Sequence, residues 1–158
     1  HNARKKQGLE IIVNYYELNK ENWIIPEMME RAFNLKIGDY TFSGRIDRID
    51  KLEDGTYEVI DYKTGASKRN QKLEKDLQLS LYALACRDVY DIKASKLSLY
   101  FLEDNEKHST TRSAEELEKA EKDIAAKTDE LMNSNFEATP GFPCKFCEYR
   151  LICNKAVH

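Results

Sequence analysis

Two aspartates and a lysine carry the chemistry this sequence could perform. Asp47 lies in the run from Tyr40 to Ile49, where apolar and polar residues tend to alternate and no proline intervenes. Asp54-Gly55, a hairpin-turn pair, then breaks the run, and strand character resumes from Tyr57 to Tyr62. Side chains two apart in a strand share a face, so Tyr57, Val59, Asp61 and Lys63 point the same way. Two carboxylates on adjacent strands can hold a hard cation such as Mg²⁺, which is usually bound by one or two carboxylates plus substrate phosphate. A lysine beside them can steady an anionic reacting group. Asp-x-Lys alone is a short pattern that also occurs as ordinary charge near a glycine turn.

The elements that must position these residues are readable from periodicity. Leu73 to Tyr90 is predicted as a helix packing through Leu77, Leu81, Leu84 and Ala85, with Gln78 and Tyr82 neighbours four apart on one face. Ala3 to Leu18 is predicted as a helix with a core stripe of Leu9, Ile12, Val13 and Tyr16. Glu30 to Ile37 reads as a strand through Phe33, Leu35 and Ile37, and Gly38-Asp39 turns the chain into the next one. Lys96 to Leu102 alternates as a strand, with Leu97, Leu99 and Phe101 on one face. Asp104 to Thr111 reads as a polar loop with His108 exposed and unpartnered. Ser113 to Asn133 reads as a long helix, opened by a capping box of Ser113 and Glu116, with an apolar seam of Leu117, Ala120, Ile124 and Leu131.

The chain has 158 residues, enough for one domain with one sizeable core. No run of eighteen apolar residues exists, so no membrane-spanning helix is expected, and the start, HNARKKQGLE, has no apolar signal segment. A cytoplasmic location is the expectation. The start also lacks Met, and the chain reads as a trimmed piece of a larger protein, with His1 a terminal residue. A net charge of −3 does not advertise a nucleic-acid binder. The basic stretch Lys68, Arg69, Lys72 and Lys75 suits either a solvated loop or contacts to backbone phosphates.

Three of the four cysteines cluster near the end, in a loop spanning 140–153. Cys144, Cys147 and Cys153 are spaced Cys-x₂-Cys-x₅-Cys, which suits an iron–sulfur cluster or Zn²⁺. Cys86, on the predicted helix, reads as a packing residue. Cys86, His158, a second chain or water are the candidates for a fourth zinc ligand.

Taken together, Gly44-Arg45-Ile46-Asp47-Arg48-Ile49-Asp50, then Asp61-Tyr62-Lys63-Thr64-Gly65, then Gln78-Leu79-Ser80-Leu81-Tyr82-Ala83-Leu84 resemble the RecB-type branch of the PD-(D/E)XK nucleases. The resemblance runs from about Pro26 to Cys153, and the cysteine tail resembles a subset with a [4Fe–4S] cluster. It implies an α/β fold with a restriction-endonuclease-like core, a mixed central sheet flanked by helices. It implies Mg²⁺- or Mn²⁺-dependent cleavage of DNA in repair or recombination, alongside a helicase domain or subunit. Asp47, Asp61, Lys63 and Gln78 would be catalytic. Asp47, Asp61 and the Tyr62 carbonyl would hold the cation, and Glu30, near the strand start where relatives carry a glutamate, is a further candidate beside the poorer match Glu27. Gln78, Tyr82, Lys68, Arg69 and Lys72 would face DNA, Tyr82 mainly in a structural role. Cys144, Cys147 and Cys153 would bind the cluster, whose fourth cysteine lies well upstream in relatives, as does a metal-binding histidine. The competing readings are a catalytically silent DNA-binding or scaffolding module and a zinc-bound interaction domain.

Overall fold

The computed structural model describes residues 2–67 and 72–157. His1, Lys68, Arg69 and His158, named above, lie outside the described residues. The chain divides into two compact units, His1–Ala125 and Ala126–His158.

The first unit is an α/β structure built on one mixed sheet. Its helices are α1 (Asn2–Asn19), α2 (Leu77–Asp88) and the first part of α3 (Ala114–Met132), and its strands are β1 (Met28–Ile37), β2 (Tyr40–Lys51), β3 (Tyr57–Lys63), β4 (Ala94–Phe101) and β5 (Glu106–Thr110). The strands lie side by side in chain order. β3 and β4 are parallel and the other neighbours antiparallel. The parallel pair needs a crossover, which α2 supplies, and Lys63 at the carboxyl end of β3 bonds Gln78 in the first turn of α2 at 2.7 Å. Gly38 (φ 58°) and Gly55 (φ 79°) make the two hairpin turns in conformations that side chains disfavour. Asp54 accepts the Thr56 N–H at 2.9 Å and so closes the second turn.

The core cluster joins Phe33, Leu35, Ile37, Ile46, Ile49, Val59, Leu97 and Leu99 of the sheet to Leu79, Leu84, Ala85 and Cys86 of α2 and Ile124 of α3. α2 is shorter than its apolar pattern: Leu73–Lys75 forms a separate 3₁₀ turn, and Asp76 caps the helix by accepting the Leu79 N–H at 3.0 Å. Leu77, the first residue of α2, is exposed. Arg112 fixes that start, donating to the carbonyls of Leu73 (2.6 Å) and Asp76 (3.2 Å) and to Ser80 Oγ (3.1 Å). The capping box of α3 forms as expected: Ser113 N–H donates to Glu116 at 2.8 Å and Glu116 N–H to Ser113 Oγ at 3.2 Å. Its seam reaches only from Leu117 to Ile124, and Leu131 is exposed.

Three expectations are corrected. Glu106–Thr110 is a strand, not a loop, and His108 on it bonds Glu106 at 3.0 Å and meets the Phe101 ring edge-on. The alternation of β2 slips: Ile46 and Ile49 enter the same core although they are three apart. Glu30, opposite Asp47 in the β1–β2 register, has φ 48°, and their rung is missing between Met29↔Arg48 and Arg31↔Ile46. The third correction is α1, which buries no residue completely. Its apolar stripe Leu9, Ile12, Val13 and Tyr16 is exposed, and the partly buried positions are Gly8, Ile11, Tyr15 and Asn19. The docked face is rotated from the apolar one because α1 attaches through polar aromatic contacts. Tyr15 bonds the Tyr62 hydroxyl at 2.9 Å, and Asn19 donates to the Tyr100 hydroxyl at 3.3 Å.

In the second unit, Phe142–Phe146 forms a 3₁₀ turn begun by Pro143, and short turns follow it through Cys147, Tyr149 and Cys153. Among the described residues, no group of three or more His, Cys, Asp or Glu is disposed to hold a metal, so Cys144, Cys147 and Cys153 are not gathered into a ligand set. Backbone groups of Gly141 and Val157 hold the Cys144 thiol below its ordinary range. Cys86 is fully buried in the core of the first unit, and burial pushes its thiol up to about 12. No helix among the described residues is long and apolar enough to cross a membrane.

Candidate active site

The site forms where the β2–β3 ladder ends. The last rung is Arg48↔Ile60, and one further step in that register sets Asp47 opposite Asp61. There Asp47 Oδ2 accepts the Tyr62 backbone N–H at 2.9 Å, so a side chain takes the place of a ladder bond. Asp61 and Lys63 follow on β3 and face α2, while Tyr62 between them turns to the α1 face of the sheet.

Four side chains close a ring at this end of β3. Lys63 Nζ lies 2.5 Å from Asp61 Oδ2 and donates to Gln78 Oε1 at 2.7 Å. Gln78 Nε2 donates to the Tyr82 hydroxyl at 2.8 Å, and that hydroxyl donates to Asp61 Oδ1 at 3.2 Å. Gln78 and Tyr82 reach the ring together because four residues make about one helical turn. Tyr82 is buried and braced by the Phe33 ring, edge-on at 6.1 Å, while Gln78 at the outer rim is exposed. Phe33 can lie there because its cross-strand partner, Gly44, has no side chain.

The electrostatics single out Asp61. Burial raises its pKa; the Lys63 ammonium offsets part of this, and the nearby Asp47 carboxylate adds to it. Burial and the charge of Asp61 likewise raise the Tyr82 phenol. Asp61 Oδ2 is fully buried, and among the described residues its partner is the Lys63 ammonium, an ion pair at 2.5 Å. A buried carboxylate oxygen needs a cation or donor beside it; the Lys63 ammonium fills that place, which a metal ion could also take.

The structure therefore brings together Asp47, Asp61, Lys63, Gln78, Tyr82 and the Tyr62 backbone. It does not bring in Glu30, whose exposed carboxylate pairs with Arg45 at 3.6 Å. Lys72 is exposed just before the 3₁₀ turn that leads into α2. Periodicity alone missed Arg48, Tyr15, Phe33 and Arg112, which position the site without lying in it. The Arg-x-Asp spacing of Arg48 and Asp50 carried a signal, since residues two apart on a strand can pair, as these do at 2.7 Å.

An aspartate opposite Asp-x-Lys at the open end of a mixed sheet, backed by a glutamine-bearing helix, is a layout suited to metal-assisted phosphodiester chemistry. The family model of the PD-(D/E)XK nuclease superfamily matches residues 2–154, and the chain belongs to that superfamily, which suggests a nuclease. Nucleases of this superfamily typically use Mg²⁺ or Mn²⁺. The chain is 29% identical over 167 residues to the Gene 69 protein of Mycobacterium phage D29, covering 92% of this chain and 57% of that protein. It is 36% identical over 74 residues to the Gene 69 protein of Mycobacterium phage L5, covering 47% of this chain and 23% of that protein. It thus spans little more than half the length of the first and less than a quarter of the second. A solved structure described as "Crystal structure of SSO0001" matches with a TM-score of 0.52 and 19% identity, over 96% of this chain and 70% of the other, a likeness of fold.

Proposed function

We propose that this chain hydrolyses phosphodiester bonds in DNA with one divalent cation, Mg²⁺ or Mn²⁺, held by Asp47 and Asp61. The observation that carries the reading is the buried Asp61 carboxylate, which lies near Asp47 and whose Oδ2 is met by the Lys63 ammonium at 2.5 Å. Two carboxylates fit the way proteins hold Mg²⁺, with substrate phosphate completing the set. The Tyr62 carbonyl is the further ligand we assign, and Glu30 would have to leave Arg45 to join it. The bound cation would acidify a water and neutralise charge on the scissile phosphate. Lys63, swung from the Asp61 oxygen, offers its ammonium to the charge that builds on the phosphate. Gln78 holds Lys63 in place and, from the exposed rim, orients the strand. Tyr82 acts from behind, fixing Asp61. Lys72, with Lys68 and Arg69, would contact backbone phosphates.

The finer assignment follows from the motif order and the cysteine tail. We place the chain in the RecB-type branch, working with a helicase domain or subunit in DNA repair or recombination, in the cytoplasm. Cys144, Cys147 and Cys153 would bind a [4Fe–4S] cluster completed from outside these three, with Zn²⁺ as the alternative occupant.

Lys63→Ala tests the central claim. It should reduce Mg²⁺-dependent cleavage of linear DNA by about 10²–10³-fold, the usual scale for a group stabilising transition-state charge, while leaving the melting temperature near that of wild type. Wild-type turnover in this variant would remove Lys63 from the mechanism.

A further inference from the structure

The wall behind the carboxylates is held by a second set of contacts. Tyr62 lies on the α1 face, and Arg48 Nη1 donates to its hydroxyl at 3.1 Å. Arg48 directly follows Asp47, and Tyr62 directly follows Asp61, so the two neighbours are joined through the far side of the sheet. The position matters, because ladder pairing has stopped at Arg48↔Ile60. Beyond it, β2 and β3 are linked by Asp47 to the Tyr62 N–H on one side and by Arg48 to the Tyr62 hydroxyl on the other.

Arg48 is a fixed anchor. It is 9% exposed, its Nε bonds Asp50 at 2.7 Å, and its Nη2 bonds the Ile24 carbonyl at 3.1 Å. Tyr62 is gripped between Arg48 and Tyr15, with the Tyr15 and Tyr100 rings 5.9 and 5.8 Å away. Neutralising Asp50 would need only the Nε arm. The Nη1 arm goes to the Tyr62 hydroxyl at 3.1 Å, with a longer contact to the Tyr15 hydroxyl at 3.4 Å; the bond is charge-assisted, which is the stronger kind.

We propose that Arg48 and Tyr62 form a positioning clamp that sets the spacing of Asp47 and Asp61, and through it the affinity of the pair for a divalent cation. This rests on the nuclease reading above. Partners that orient metal ligands from outside typically change metal affinity by about 10–100-fold.

The test uses the whole chain and two readouts: hydrogen exchange of the position-62 amide without metal, and Mn²⁺ affinity by calorimetry. Tyr62→Phe should speed that exchange, because Asp47 no longer holds a fixed amide, and weaken Mn²⁺ about tenfold. Arg48→Lys, which keeps the charge beside Asp50 but lacks the forked arm, should reproduce both effects. Tyr100→Phe keeps the ring beside Tyr62 and removes a hydroxyl bonded to Asn19 and Asn105 rather than to Arg48 or Tyr62, and it should match wild type in both. If Asp61→Asn abolishes Mn²⁺ binding while Tyr62→Phe leaves exchange and affinity unchanged, the clamp is wrong and the nuclease reading stands. Equal weakening by Tyr100→Phe and Tyr62→Phe, in step with lost melting temperature, would also overturn it. Mn²⁺ binding that survives Asp61→Asn would overturn the carboxylate site and the clamp together.

Discussion

Gly44→Ala should damage the site from a distance that sequence spacing does not suggest. A Cβ at position 44 would stand 2.6 Å from Phe33 Cζ and 2.9 Å from its Cε1. Carbon atoms rest at about 3.5–4.0 Å, so the ring must retreat by roughly 1 Å. It has little room: Phe33 is 5% exposed and its other edge meets Tyr82 at a centroid distance of 6.1 Å. Adding a methyl to such a core costs about 1–3 kcal/mol, which corresponds to a melting-temperature loss of about 3–10 °C for a unit of this size. Phe33→Leu removes the obstructing ring tip, so the double variant should recover part of the loss, with a coupling of about 1–2 kcal/mol in a double-mutant cycle. Urea unfolding of the four proteins measures it. Strictly additive costs would show that the ring does not meet position 44, and the buttress of Tyr82 would fail with it.

Two further outcomes are expected. Asp61 is more readily protonated in the folded protein than in the unfolded chain; the stability its neutral form provides is complete below the ordinary carboxylate value and is lost as pH rises through the raised folded value. Asp61→Asn, neutral at every pH, should therefore raise the metal-free melting temperature at pH 7, and less at pH 4, whereas Mg²⁺ should stabilise wild type alone; a variant less stable at both pH values would contradict this. In the second unit, anaerobic purification followed by iron, sulfide and zinc analysis should give a substoichiometric metal content that falls further with Cys147→Ser; a full [4Fe–4S] complement that also survives Cys86→Ser would show that no outside ligand is needed.

How much was legible depends on what each element packs against. The β2–turn–β3 hairpin was readable because Asp54-Gly55 and alternation act locally, and the α3 cap because Ser113 and Glu116 satisfy each other within one turn. Asp47, Asp61 and Lys63 were singled out from strand periodicity, and one step beyond the last rung, Arg48↔Ile60, sets Asp47 opposite Asp61. The slip between Ile46 and Ile49 was hidden, since it depends on the distorted partner Glu30 rather than on β2 itself. α1 misled for a different reason. Hydrophobic periodicity reports the apolar face, whereas Tyr15 and Asn19 are held to the sheet by hydroxyl and amide bonds that the pattern does not weigh. The same blindness hid Arg48, whose partners Asp50, Tyr62 and Ile24 come from three different segments.

The ring at the end of β3 also has a sense of direction. A lysine ammonium can only donate and an ionised aspartate can only accept. Protons are therefore offered one way round, from Lys63 to Gln78 to Tyr82 to Asp61, and the amide of Gln78 has one workable orientation, oxygen towards Lys63. Gln78→Glu would keep the shape but erase that polarity. A carboxylate at position 78 accepts from both neighbours, so the Tyr82 proton would turn towards it and away from Asp61. Asp61 would then lose its one well-formed side-chain donor, and the lysine would be shared between two anions. A change of one NH₂ to oxygen at the rim would thus be felt at the far carboxylate, through a relay in which no atom need move far.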